Sequence, residues 1–449
     1  MVSGARASPA LVVALTLCLK AQGAPSFVTL PQRDKALFIG APSADVSANG
    51  RCVAFESFAR LVPADTDNRR DIYVLDRATG QVTLETGTLE RWSNGAHPRL
   101  SADGRWLVFE AEASASERPA VRVDIVVIDR STGRVISVRS RDGGPPNGSS
   151  YAPEISDDGR VIVFSSAATD LVSLADVNGG LEDIYTMEMA SGAVRRISVD
   201  ATGVQLSTGF SFSPSLSADG SAVAFVSTAL LNPTAARHAD RRSTQNLRQV
   251  YVRDETQQTT TQISVGVDGE WPDGPSMRPA ISGDGRFVAF VSEAAGLVRD
   301  DRNRVADIFV YDRRAGTTTI VTRAHDGTQA NGRSSSPAIS VDGRAVAFQS
   351  DASNLICGRR CAGTTEDVNL LWDVFVWDRE RKTIARVSDD LLGMWGEPSV
   401  APAIDAQGVV VAFASRHPID EADGANDFDL FVRELPDAQA TLVQQREPR

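Results

Sequence analysis

Oxygen-rich loops carry the clearest chemical pattern in this chain. Asp65-x-Asp67-x-x-x-Asp71 recurs as Asp301-x-Asn303-x-x-x-Asp307 and Asp367-x-Asn369-x-x-x-Asp373, with looser copies at Asp176-x-Asn178…Asp183 and Asp423…Asp429. Oxygen ligands at i, i+2 and i+6 of a loop could converge on a hard cation of calcium type, weakly and partly hydrated because no bidentate Glu follows. The same residues also cap turns by bonding their own backbone, and that alternative stays open. Blade four, as counted below, departs from the pattern: Gln249 stands where the third Asp would be.

Aromatic, basic and thiol groups form the second set. Trp92, Trp271 and Trp395, with Trp372, fall in connecting segments, where an indole could stack on a sugar ring or a peptide side chain, or fill a gap between sheets. Asn232–Arg248 gathers Arg237, His238, Arg241, Arg242 and Arg248 into a basic insertion. Cys357 and Cys361 share one loop at C-x3-C spacing. With no further soft ligand nearby they read as a local disulfide in an oxidising compartment. Cys52, in a strand, reads as a small buried hydrophobe.

A catalytic constellation is thin. Four histidines (His97, His238, His325, His417) lie far apart, and no nucleophile elbow, His-Glu-x-x-His or phosphate-cradling loop occurs. His97, with Tyr151 in the equivalent region of the next repeat, is the best placed base for a lyase-like reaction on a polysaccharide. The balance leans away from an enzyme.

The elements that must hold these groups come from a repeat. Its glycines, Gly50, Gly104, Gly159, Gly220, Gly285, Gly343 and Gly408, are 54 to 65 residues apart, each between a Ser (Asp405 in the last copy) and a strand ending in Phe. Such periods indicate propellers or solenoids. Within a unit, Pro-x-Ile-Ser begins an inner strand and Asp-Gly reads as a two-residue hairpin turn with positive φ at both positions. An apolar strand follows, then a longer loop, then Asp-Ile-Tyr/Phe-Val-x-Asp and a short fourth strand. Four antiparallel strands repeated seven times define an all-β, seven-bladed β-propeller, its blades starting near residues 40, 97, 152, 213, 278, 336 and 401. Phe27–Leu30 or Ala440–Gln444 could complete the last blade, the first being favoured. Short turns alternate with long loops, so length variation gathers on one face, where function is sought.

The Ser-x-Asp-Gly-Arg turn and the Ala-Phe-ending strand resemble the TolB-type propeller repeat over roughly residues 40–445. The resemblance implies a propeller. TolB itself carries a further N-terminal α/β domain, for which there is no room here, so its lipoprotein partners are not implied.

Bulk properties set the context. The 449 residues carry a formal net charge of −12, against a nucleic-acid partner. Residues 1–23 read as a secretory signal: Arg6, the apolar run Ala10–Leu19, and Ala21-Gln22-Gly23 as cleavage site. The run is too short to span a bilayer. The expectation is therefore a secreted or periplasmic propeller, residues 24–449, that binds a protein, peptide or glycan on its long-loop face. A polysaccharide lyase and a purely structural envelope protein are the alternatives.

Overall fold

The computed structural model describes residues 27–30, 43–113, 122–231, 247–356, 371–388, 398–416 and 428–435. They form seven four-stranded antiparallel sheets, with two 3-10 turns, Val267–Gly269 and Ala295–Leu297, as the helical content. Blade 1 holds Ala44–Val46, Cys52–Ser57, Asp71–Asp76 and Gln81–Leu84. Blade 5 repeats it as Ser276–Ile281, Phe287–Ser292, Asp307–Asp312 and Thr317–Ile320. The last blade is closed by the N-terminal strand: Phe27–Leu30 pairs antiparallel with Asp429–Glu434, Val28 opposite Val432. Ala440–Gln444, the other candidate, lies outside the described residues.

Packing follows from strands buried on both faces. In Ala222–Ser227 every residue is buried, as in Phe287–Ser292 and Val410–Ser415. The central Phe stacks on the aromatic opposite it in six blades, for example Phe290 on Phe309 with centroids 5.8 Å apart. Apolar clusters then join each blade to the next. Val163 and Ile184 of blade 3 pack with Phe225 and Tyr251 of blade 4, and Val53 and Tyr73 of blade 1 pack with Ala412 and Leu430 of blade 7. Burial of apolar area between neighbours, at about 25 cal/mol per Å², is what closes the circle.

The Asp-Gly turn differs from the two-residue form expected. Only the glycine takes positive φ (Gly104 +71°, Gly285 +68°), and Gly104 N–H bonds Ser101 O at 2.9 Å. The loop is thus a Ser-x-Asp-Gly turn ended by a left-handed glycine. Its Asp acts through the side chain: Asp103 Oδ1 accepts from Ser101 Oγ at 2.7 Å and Arg105 N–H at 2.9 Å. The following Arg pairs with the end of the third strand, as in Arg105–Asp129 (2.7 Å) and Arg286–Asp312 (2.7 Å). These turns share one face. The connections Ser57–Asp71, Ser166–Asp183 and Ser292–Asp307, and the links between blades, occupy the other. Among the described residues no helix is long and apolar enough to cross a membrane.

Candidate functional site

The long-loop face presents two features, an acidic cavity at blade 1 and the mouth of the central channel. The cavity, about 160 Å³, is lined by Asp65, Asp67, Asp71, Thr86, Glu90 and Trp92, among others. Ligand oxygens of Asp65, Asp67 and Asp71 lie within 4.8 Å of one another, so the first acidic loop does converge. Asp65 accepts from the buried Tyr73 hydroxyl and from Asp67 N–H at 3.2 Å; Asp71 accepts from Thr86 Oγ1. Burial pushes the Asp71 carboxyl up to about 6, and the charges of Asp65 and Asp67 add to the effect. Burial and the bond to Asp65 likewise raise the Tyr73 phenol.

The strand-starting Asp has a structural duty in most blades. It accepts from a Ser or Thr hydroxyl in the link to the next blade: Ser198 to Asp183 (2.7 Å), Thr322 to Asp307 (2.5 Å), Ser388 to Asp373 (2.6 Å). Gln249 does the same in blade 4 without charge, its Oε1 accepting from Ser264 Oγ at 2.7 Å. What differs is the neutralising partner. Asp124 pairs with Arg122 at 2.6 Å, Asp183 with Arg196 at 3.4 Å, and Arg386 approaches Asp373 at 3.7 Å. In blade 3 the Gln205 amide donates to Asp176 (2.9 Å) and Asp183 (2.6 Å). In blade 5 the Gln329 amide donates to Asp301 at 3.1 Å and the Asn303 amide to Ala330 O at 3.1 Å. Asp301, Asn303 and Asp307 are therefore tied largely to the protein's own donors, although Asp307 Oδ2 is buried without a hydrogen bond and burial pushes that carboxyl up to about 6. Asp367 and Asn369 lie outside the described residues.

The channel, about 570 Å³, runs between the inner strands. Six non-glycine residues on its rim share one left-handed conformation: His97 (49°), Ala152 (50°), Ser213 (50°), Arg278 (53°), Ser336 (52°) and Ala401 (53°). Each precedes a Pro and sits at a break of register in its inner strand, as between Met277 and Ala280. A bulge re-aims side chains, and all six line the channel. Three are fixed by an acceptor from the preceding blade: Glu56 takes His97 N–H (2.9 Å), Glu110 takes Ala152 N–H (2.7 Å) and Gln349 takes Ala401 N–H (2.8 Å). Only His97 and Arg278 are long; the others leave an opening. The Glu110 carboxylate, 3.1 Å from His97 Nδ1, raises the imidazole pKa, against the effect of burial.

Deeper, the channel has two unlike walls. Blades 1 to 3 contribute Asp45, Arg99 and Glu154; the equivalent positions of blades 5 to 7 are Ala280, Ala338 and Ala403. Asp45 accepts Leu100 N–H at 2.8 Å and Glu154 accepts Leu216 N–H at 2.6 Å, stitching neighbouring blades. Burial pushes Glu154 up to about 7, and Arg99 opposes this. Burial raises Asp45 in the same way.

The other sequence candidates fall as follows. Trp92 opens the inner strand of blade 2. Its indole donates to Asp124 at 3.0 Å and is covered by Arg91, 5.3 Å from the ring centre, so the ring is engaged in packing as well as lining the cavity. Trp271 is half-buried in a link, its indole N–H buried without a hydrogen bond. Tyr151, on the inner strand of blade 3, is not among the channel-lining residues. Cys52 is buried and free. Trp395, Cys357, Cys361, residues 232–246 of the basic insertion and residues 1–23 lie outside the described residues. The left-handed rim and the channel wall were not anticipated; the only sequence signal was a variable residue before each repeated Pro.

No family model matches the chain, and no curated protein matches it. Among solved structures, the chain is similar to an oligogalacturonate lyase from Vibrio parahaemolyticus at 14% identity, covering 92% of this chain and 98% of that one, TM-score 0.53. It is similar to the β-propeller domain of the Trilobed protease from Pyrococcus furiosus at 11% identity, covering 89% and 97%, TM-score 0.53. A putative TolB from Agrobacterium tumefaciens matches at 17% identity over 82% and 99%, TM-score 0.41. The first two likenesses agree with the propeller fold; membership of the TolB-type family is not shown.

Proposed function

We propose that the chain is an exported, non-catalytic binding or scaffold module that holds a protein, peptide or glycan over the channel mouth on its long-loop face. The leader at residues 1–23 would deliver it to the periplasm or the medium. One observation carries the reading: the rim. A repeat that keeps its turn glycine and its Phe through seven copies, and its Pro in the last six, varies the residue before that Pro and holds it in a conformation costing roughly 1–2 kcal/mol per residue. Strain retained at a set of convergent, variable side chains supports ligand contact there. The channel itself favours binding over a purely structural envelope role. The acidic loops add a cation of calcium type, whose oxygen preference fits their donors.

Glycan and peptide arrays probed with the mature chain test the proposal. Retention of a ligand that is lost in Arg278→Ser and His97→Ser supports it; retention unchanged by both substitutions refutes the mouth as the site. The His97–Glu110 pair favours a second reading, a lyase-like base at the same mouth. Formation of unsaturated product from an array hit, abolished by His97→Ser, would replace the first reading with it.

A further inference from the structure

We propose that, of the described acidic loops, blade 1 alone takes up a divalent cation of calcium type, held by Asp65, Asp67 and Asp71. This rests on the reading that the acidic loops bind such a cation, and it assigns the occupied site.

A buried carboxylate without a counter-charge is costly, so each strand-starting Asp needs a partner. Asp124 has Arg122, Asp183 has Arg196 and Asp373 has Arg386. At the position of Arg196, two residues before the bonded hydroxyl, blade 1 has Leu84 and blade 5 has Ile320. Blade 5 compensates in part with amides, Gln329 on Asp301 and Asn303 on Asp307, and the Asp307 oxygen left without a hydrogen bond is fully buried. Blade 1 has neither amide. Its middle residue is Asp67, which offers no N–H from its side chain, and its shorter link to blade 2 carries no glutamine. Arg69 acts on Asp71 through its charge from a distance and pairs with an oxygen of Asp67, at 3.7 Å, with both side chains more than half exposed.

Two observations point from this surplus of acceptors to a ligand. Asp71, 8% exposed, gives one oxygen to Thr86, while its other accepts no hydrogen bond and its carboxylate lines the cavity. The cavity, about 160 Å³, has room for the cation and the waters that would complete its shell, with Glu90 at its edge. In blade 3 the corresponding space is entered by the Gln205 amide, which bonds both carboxylates. The amide nitrogen there does for blade 3 what a cation would do for blade 1.

The test uses the mature full chain, stripped with chelator. Calcium titration calorimetry gives the stoichiometry. Terbium luminescence excited through tryptophan gives the location, since Trp92 lines the cavity. The expected result is calcium uptake with sensitised terbium emission displaced by calcium, and in Asp67→Asn one calcium fewer per chain together with loss of that emission. That position is exposed, so the variant should fold, as circular dichroism would check. Asp301→Asn should bind as the parent does. Loss of one calcium in Asp301→Asn, whether Asp67→Asn retains its own or not, would overturn the assignment to blade 1 alone and leave the calcium reading standing. No uptake at millimolar calcium, in parent and variants alike, would overturn both.

Discussion

Glu154 offers a prediction whose size can be worked out from its surroundings. It stands in the channel wall of blade 3, takes Leu216 N–H at 2.6 Å and bonds Ser215, with Arg99 and Asp45 as the nearest charges. Burial moves its carboxyl from 4.5 to about 7. The folded chain therefore holds this proton more tightly than the unfolded chain. The resulting stability is complete below pH 4.5 and is lost as pH rises through 7. At about 1.4 kcal/mol per tenfold change in proton affinity, the displacement amounts to about 3 kcal/mol. The carboxylate is only half-buried and faces the channel, so screening reduces this to about 1–3 kcal/mol. Glu154→Gln keeps an oxygen for Leu216 and removes the ionisation. Urea unfolding of parent and variant should give similar stabilities at pH 4.5 and a variant more stable by about 1–3 kcal/mol at pH 8. A difference between the two that stays constant with pH would refute the reasoning, because every other titrating group is common to both.

Three further outcomes follow from the packing. Arg196→Met leaves Asp183 buried without its cation, the two side chains being 6% and 4% exposed, and should cost about 3–5 kcal/mol in urea unfolding. Phe290→Ala opens a void in a side chain that is 0% exposed and stacked on Phe309, and should cost about 3–5 kcal/mol by the same assay. Removal of residues 1–30 unpairs Asp429–Glu434, exposing a strand edge. Light scattering should show association of the truncated chain at concentrations where the mature chain stays monodisperse, together with a lower melting temperature.

Much of the fold could be read from the residues because each blade states it again. Phe109, Phe164 and Phe225 recur at one offset from a turn glycine, and a strand buried on both faces needs that run of apolar residues. The turn type is not legible in the sequence because Asp103 works by side-chain bonds to Ser101 and Arg105, a geometry that an Asp-Gly pair alone does not specify. The acidic loops were visible as a motif but not as sites. What separates blade 1 from blades 3 and 5 lies elsewhere: Arg196 on a fourth strand, Gln205 and Gln329 in links. The rim was harder still. The left-handed turn at Ala152 is held by Glu110, 42 residues earlier and in another blade, so no local pattern announces it.

The central claim is that ligand contact belongs to the channel mouth of the long-loop face. The direct measurement is equilibrium binding of an array-identified ligand to two single variants, Arg278→Ser on the rim and Arg160→Ser on the short-turn face. Arg160 is exposed and follows the turn glycine Gly159. The account predicts at least tenfold weaker binding for Arg278→Ser and parental binding for Arg160→Ser. Equal binding by parent and both variants, or weakening confined to Arg160→Ser, would contradict it.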